Sequence, residues 1–251
     1  MPRLRLNCDL GESAHLFAPD GDESARLEEA LMPLLDQANI ACGGHAGHPT
    51  LMRRCVQLAL AHDVEIGAHP AYPDPQGFGR RQMKLPHEVL RDWLRFQIGG
   101  LDAIVRAEGG RITHVKAHGA LYNDLLDEPA LFELFLETVA QLLPGAAVMV
   151  LALPERERLR TIAAAHAVPL LFEAFADRSY DTLGRLRPRQ APGALLESQE
   201  EILAQLETLI SPAPALQADT LCLHGDHPLA PARARALRER LGPRSARARF
   251  T

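Results

Sequence analysis

Six short apolar runs, spread across the whole chain, each end in a cluster of residues able to bind or catalyse. They are L-N-C-D-L-G-E (6–12), N-I-A-C-G-G-H-A-G-H (39–48), I-G-A-H-P-A-Y-P-D (66–74), H-V-K-A-H-G-A-L-Y-N (114–123), L-F-E-A-F-A-D-R (171–178) and L-C-L-H-G-D (221–226). Patterned helical stretches separate most of them. A parallel β/α barrel produces this layout directly, because every strand delivers its C-terminal end to one shared face. An open doubly wound sheet gives a similar string of elements but gathers its site residues near one switch point. Contributions from nearly every strand favour the closed or nearly closed barrel and a single composite active site.

The 251 residues fit one barrel-sized domain, read here as 1–251. A net charge of −5 gives no general attraction to nucleic acid or to an anionic membrane. The local exception is the Arg-rich stretch 233–249, read as a solvated helix face with a frayed end. Cys8, Cys42, Cys55 and Cys222 form no C-x-x-C pair, and three lie in strand-like contexts, so buried reduced thiols and a reducing compartment are expected. No apolar run approaches the roughly 18 residues of a membrane span, and M-P-R-L-R-L enters a strand without a signal-peptide core. A cytoplasmic location is the resulting expectation. Against 25 arginines the chain keeps two lysines, Lys84 and Lys116. Under such a bias a retained lysine hints at a position that wants an ammonium. Lys84 lies in a polar stretch and Lys116 lies inside a run.

Hydrophobic periodicity and breakers predict strands at 4–8, 38–42, 64–68, 113–116, 147–151, 169–172 and 220–224, separated by helices at 23–36, 49–62, 86–108, 128–142, 154–166 and 198–210, with a last helix at 229–241. Pro49 suits a first helical turn. Two long irregular segments, 70–85 and 177–197, lie next to the clustered residues, where long loops are usually functional. The fifth strand carries no polar cluster.

Each cluster has a chemical and a plain reading. Asp9 and Glu12 can bind a metal or act as general bases, or simply make a turn. His45 and His48 have a spacing that can serve a metal; the choice here is a functional His45 and a His48 that caps the following helix. His69 ends a strand among small residues. Asp74 follows it, and Arg80-Arg81 on a glycine-hinged loop suits a carboxylate or phosphate. Lys116 and His118 should face the same way on a strand; facing inward, mutual repulsion and burial would lower both pKa values. Glu173, Asp177 and Arg178 can form an ion-paired cluster. Asp226 can fix the tautomer of His224 or cap the last helix. No P-loop, dinucleotide glycine fingerprint, nucleophile elbow or zinc-type C-x-x-C is present.

Taken in order, N-x-D-L-G-E, N-I-A-C-G-x-H-A-G, G-A-H-P-x-x-P-D, G-F-G-R-R, H-V-K-x-H-G-A-L-Y-N, F-A-D-R-x-Y-x-x-x-G-x-L-x-P-R and C-x-H-G-D resemble the LamB/YcsF family over about 4–240. The resemblance implies an α/β fold, a seven-stranded irregular TIM-type barrel of the glycoside hydrolase/deacetylase kind. It also implies the A subunit of a 5-oxoprolinase, which opens 5-oxo-L-proline to L-glutamate with hydrolysis of ATP, with or without Mg²⁺, in company with subunits B and C. The roles expected are catalysis by Asp9, Glu12, His45, His69, Lys116, His118 and His224, and substrate or phosphate binding by Asp74, Arg80, Arg81, Glu173, Asp177, Arg178 and Asp226. Arg5, His48 and Ala117 depart from the family's usual Asp, Asp and Pro. The rival readings are a metal-dependent deacetylase, with Asp9 and His45 or His69 as ligands, and a non-catalytic carboxylate-binding subunit.

Overall fold

A computed structural model describes residues 4–12, 23–154, 156–211, 216–225 and 227–244. Seven parallel strands, β1 (Arg5–Leu10), β2 (Gln37–Ala41), β3 (Glu65–His69), β4 (Ile112–Lys116), β5 (Ala147–Leu151), β6 (Leu170–Phe175) and β7 (Thr220–His224), close in sequence order, with β7 pairing back onto β1. The helices are α1 (Glu23–Leu31), α2 (Pro49–Ala61), α3 (His87–Ala107), α4 (Gly119–Asp127), α5 (Pro129–Leu142), α6 (Arg156–Ala165), α7 (Gln199–Leu209) and α8 (Ala230–Leu241). The closed barrel and its seven strands match the sequence reading. Among the described residues no helix is long and apolar enough to cross a membrane.

Three local departures have plain causes. The helix expected over 23–36 ends at Leu31 and tightens into a 3₁₀ turn at Met32–Leu34, because Pro33 cannot donate to the α-helical ladder. Helix α4 is absent from the sequence expectation: it starts on a glycine, a poor helix former, and passes into α5 after one residue. The arginines of α8 are only in part the expected solvated face: Arg235 and Arg240 are exposed, but two others are not. Arg233 is buried and donates to the Glu197 carbonyl, while Arg238 donates to the Leu34 carbonyl and pairs with Asp36. These arginines tie α8 down by backbone and carboxylate contacts. Residues 245–251 of that stretch lie outside the described residues.

Helix α3 shows how the outer layer is held. Leu90, Leu94, Ile98, Leu101 and Val105 recur at helical spacing and are buried. Each such side chain contributes about 1.5–3 kcal/mol on burial, so this stripe fixes the helix to the barrel.

The strand faces turned outward are apolar, whereas much of the interior is polar. Thr220, Asn7, Asn39 and His114 are fully buried and form a continuous chain. Asn7 Nδ2 donates to Thr220 Oγ1 (2.8 Å), Asn39 Nδ2 donates to Asn7 Oδ1 (2.9 Å), and His114 Nε2 meets Asn39 Oδ1 (2.8 Å). Hydrogen bonding offsets the cost of burying these groups. Burial, reinforced by the positive charges of Arg5 and Lys116, pushes the His114 imidazole down to about 3.

An unfolded histidine titrates near 6.5. Above that pH His114 is neutral in both states. Below it the unfolded chain binds a proton that the folded chain refuses, so stability falls from about pH 6.5 down to about pH 3, by a few kcal/mol. Urea denaturation across this window should show a shallower pH slope for His114→Gln than for the wild type. Equal slopes would contradict the assignment.

Candidate active site

The polar chain leads to a charged centre at the C-terminal end of the barrel. Lys116 Nζ lies 2.8 Å from Asp9 Oδ1, 2.9 Å from Glu173 Oε1 and 3.2 Å from Cys222 Sγ. Asn39 also donates to Asp9 Oδ1 (2.8 Å), and Tyr122 donates to Glu173 Oε2 (3.1 Å). All of these groups are buried. Burial alone would lower the Lys116 ammonium, but Asp9, Cys222 and Glu173 outweigh it and raise its pKa well above the usual lysine value. This corrects the sequence expectation. Strand geometry does send Lys116 inward, but carboxylates surround it, and it stays charged at neutral pH. Burial likewise opposes ionisation of Asp9, yet His69 and Lys116 hold that carboxyl well below its normal range. Glu173 is raised, chiefly by burial.

Beside this centre four side chains converge: Glu12, His45, His69 and His118, whose donor atoms all lie within 4.8 Å of one another. His45 Nε2 is 2.9 Å from Glu12 Oε1, and His118 Nδ1 is 3.3 Å from the same oxygen. His69 Nε2 is 3.7 Å from that oxygen and 3.4 Å from Asp9 Oδ2. The His45 and His118 rings stack with centroids 3.6 Å apart. Burial lowers the pKa of His118 and takes His45 down to about 4. The imidazoles of His118 and His45 overcome the burial of Glu12 and hold it ionised. The quartet could hold a metal ion. Its membership differs from the ligand set expected from sequence: Glu12 and His118 join His45 and His69, while Asp9 is engaged by Lys116 and Asn39.

The irregular 70–85 segment covers this cluster. His118 Nε2 meets the Phe78 carbonyl (3.0 Å), the Pro70 carbonyl accepts from the His118 amide (2.8 Å), and the Gly79 carbonyl accepts from the Ala120 amide (2.9 Å). Gly79 (φ +64°) and Gly119 (φ +61°) both adopt the left-handed conformation, and they sit so close that a Cβ on Gly119 would lie 2.3 Å from the Gly79 oxygen. Phe78 also has a positive φ, 53°, and its ring meets His45 and His118 edge-on. Arg80 lies over the Phe78 face, 4.9 Å from its centroid. Arg81 is instead engaged by Asp74, which also caps Gly77. Asp74 and Arg81 therefore shape the loop, while Arg80 stacks on the phenylalanine that covers the histidines.

On the opposite rim the expected Glu173–Asp177–Arg178 cluster does not form. Glu173 pairs with Lys116, Arg178 donates to the Arg187 carbonyl (2.7 Å), and Asp177 pairs with His224 Nδ1 (2.9 Å). Asp177 thus fixes the tautomer assigned above to Asp226, which lies outside the described residues. Burial would lower His224, but Asp177 outweighs it and raises the imidazole pKa. His224 stands beside Asp9 in the β1–β7 register.

The match to known proteins is end to end. The model of the LamB/YcsF family matches residues 4–249. The chain belongs to the LamB/YcsF family. A Pseudomonas fluorescens protein (strain Pf-5), named as the A subunit of 5-oxoprolinase, is 44% identical, covering 98% of this chain and 99% of its own length. A Pseudomonas aeruginosa protein, named as the third 5-oxoprolinase A subunit of that bacterium, is 45% identical, covering 95% and 96%. Among solved structures, a lactam utilization protein from Thermus thermophilus superposes with a TM-score of 0.83 at 33% identity, covering 96% of this chain and 98% of its own.

Within this LamB/YcsF chain, two of the family departures have structural homes. His48 caps α2, accepting from the Leu51 amide, which is work an aspartate also does. Arg5 pairs with Glu65 (2.9 Å) at the end of the barrel away from the histidines. Sequence reasoning passed over Asn39, His114, Tyr122 and the buried Glu28, which accepts from the Gly11 amide (2.8 Å) and so holds the loop carrying Glu12. The period-two alternation that paired Lys116 with His118 extends back to His114. Tyr122 and Glu28 sit on helices and gave no such signal.

Proposed function

We propose that this LamB/YcsF chain is the A subunit of a 5-oxoprolinase that opens 5-oxo-L-proline to L-glutamate while ATP is hydrolysed to ADP and phosphate. The observation that carries this reading is the end-to-end likeness to proteins of that name. Convergence of the charged centre and the histidines at one barrel mouth supports a catalytic role over that of a scaffold.

The substrate sets the problem. A five-membered lactam is a stable amide with a poor nitrogen leaving group. Transfer of the γ-phosphoryl group to the lactam oxygen makes an imidate-like carbon that water can attack. The ring nitrogen must then accept a proton so that the C–N bond breaks, and a second water releases phosphate from the resulting acyl phosphate. Subunits B and C are the proposed source of the bound ATP, with or without Mg²⁺, since no nucleotide loop is visible in this sequence.

Opposed pKa shifts suggest how the residues divide the work. Lys116, held permanently positive, stabilises developing negative charge and does not shuttle protons. Asp9 or His69 takes the proton of the attacking water. His224, whose pKa is raised by Asp177, donates to the ring nitrogen. Arg80 receives the substrate carboxylate or the phosphate. Reconstitution with subunits B and C should give ATP-dependent release of glutamate from 5-oxoproline. The histidine cluster favours one competing reading, a metal-dependent deacetylase; chelator-sensitive activity without an ATP requirement would select it.

A further inference from the structure

The hydrogen bonds around the histidine cluster constrain where its protons sit. His69 Nδ1 lies 2.8 Å from the Lys116 carbonyl oxygen, and His118 Nε2 lies 3.0 Å from the Phe78 carbonyl oxygen. A carbonyl only accepts, so each of these nitrogens carries the ring proton. The other nitrogens, His69 Nε2 and His118 Nδ1, then present bare lone pairs, and they face each other at 3.0 Å. Two neutral rings repel at that distance; a second proton on one ring or a metal cation against both relieves it, and the cation also engages Glu12 Oε1, 3.3 Å from His118 Nδ1 and 3.7 Å from His69 Nε2. A backbone carbonyl behind each ring is also the arrangement that orients metal-binding imidazoles.

We propose that Glu12, His45, His69 and His118 bind one divalent ion of the zinc type. Zinc ligands at about 2.0–2.1 Å in a tetrahedron stand about 3.3 Å apart. Four of the six separations are 2.9 Å (His45–Glu12), 3.0 Å (His118–His69), 3.3 Å (His118–Glu12) and 3.7 Å (His69–Glu12), and all six lie within 4.8 Å. Three imidazoles and one carboxylate select a borderline transition ion over Mg²⁺ or Ca²⁺, which prefer all-oxygen shells. His45 Nδ1 is buried without a partner among the described residues, so His69 and His118 are the oriented ligands. An ion there occupies His69 and leaves Asp9, 3.4 Å away, as the remaining base of the two named above.

Metal content tests the site without substrate or partner subunits, separately from the lactam reading. The full chain, stripped with chelator and dialysed against Zn²⁺, should retain one equivalent. Co²⁺ in its place should give the intense visible bands of a four-coordinate ion. His69→Gln and His118→Gln should each lower retention at least tenfold, with circular dichroism confirming the fold. X-ray absorption on the wild type serves if the variants do not fold: an imidazole shell at about 2.0 Å is expected. No retained metal, a hydrated six-oxygen shell, or undiminished binding in the folded variants would overturn the proposal.

A second, independent observation concerns the outward face of α3. Val89, Trp93, Phe96, Gly100, Ala103 and Ala107 are all exposed, Phe96 at 65%. Their spacing, alternately four and three residues, draws one straight apolar seam about 27 Å long on the side away from the barrel. The spacing reads the same from either end, with the bulky residues in one half and the small ones in the other. Two antiparallel copies therefore set Val89 against Ala107, Trp93 against Ala103 and Phe96 against Gly100, where a Cβ would meet nothing within 4 Å. The flanking charges are compatible: Asp92 pairs with Arg95 (3.4 Å) and Asp102 with Arg106 (2.8 Å) within the helix, and antiparallel packing would bring Asp92 beside Arg106 of the other copy and Arg95 beside its Asp102.

We infer that α3 forms a two-fold contact between two copies of this chain. Sedimentation of the full chain at tens of micromolar should show a dimer. Phe96→Asp and Gly100→Leu should each give monomer with little change in melting temperature. Asp92→Arg should weaken the dimer, and Asp92→Arg with Arg106→Asp should restore it. A monomeric wild type, a dimer unaffected by Phe96→Asp and Gly100→Leu, or a partner subunit seated on this helix would overturn the inference.

Discussion

Replacing Lys116 by methionine should lower ATP-dependent glutamate release by the reconstituted enzyme by roughly 10²–10³-fold, the usual cost of losing a preorganised charge stabiliser. It should also destabilise the chain. The ammonium lies within 3 Å of the carboxylates of both Asp9 and Glu173, and removing one member of a buried ion pair costs about 3–5 kcal/mol. The two effects can be separated. Lys116→Met with Glu173→Gln removes an unpaired carboxylate along with the ammonium, so it should recover part of the stability and none of the turnover. Activity is compared at a temperature where circular dichroism shows each variant folded. Near-normal turnover in folded Lys116→Met would remove Lys116 from the proposed mechanism.

Gly119→Ala should be strongly damaging. Its Cβ would lie 2.3 Å from the Gly79 oxygen, and its φ of +61° is already costly for a side chain. The backbone cost is about 1–3 kcal/mol, and relief of the clash must push the 70–85 loop off the histidines. Gly79→Ala adds a Cβ 2.9 Å from His45 Cβ and 3.0 Å from His118 Cδ2. Gly109→Ala is the control, with φ +79° and nothing within 4 Å of its Cβ. Thermal melting should rank Gly119→Ala well below Gly109→Ala, and turnover should be lost only in Gly119→Ala and Gly79→Ala. Equal melting temperatures for Gly119→Ala and Gly109→Ala would show that the Gly79–Gly119 approach bears no load.

The barrel was legible because six of the seven strands announce themselves twice, by an apolar run and by the polar cluster at its end, and the fifth by its apolar run alone. Helix α4 was not, since its glycine start hides a helix that tertiary packing enforces. Strand alternation correctly turned Lys116 inward, but its pKa direction depended on Asp9 and Glu173, more than 50 residues away on either side in the sequence. The adjacent pair Arg80-Arg81 read as one clamp, yet the loop turns Arg81 toward Asp74 and Arg80 over Phe78. The carboxylate beside His224 is Asp177, which follows β6, a partner that no local spacing discloses. Sequence periodicity reports which face a side chain takes; it is blind to which distant chain segment that face meets.

The pairing of β7 with β1 sets an order of events during synthesis. Asn7 and Thr220, hydrogen-bonded across the seam, are separated by 213 positions, so Asp9 leaves the ribosome long before Lys116 and longer still before the strand that seals the barrel beside it. Contacts of such long range form late and slow folding. Until they form, the Asp9 carboxylate lacks the Lys116 and Asn39 partners that offset its burial in the finished barrel. The half-made chain therefore lacks Glu173, Asp177 and His224, and the charged centre is completed only with closure of the ring.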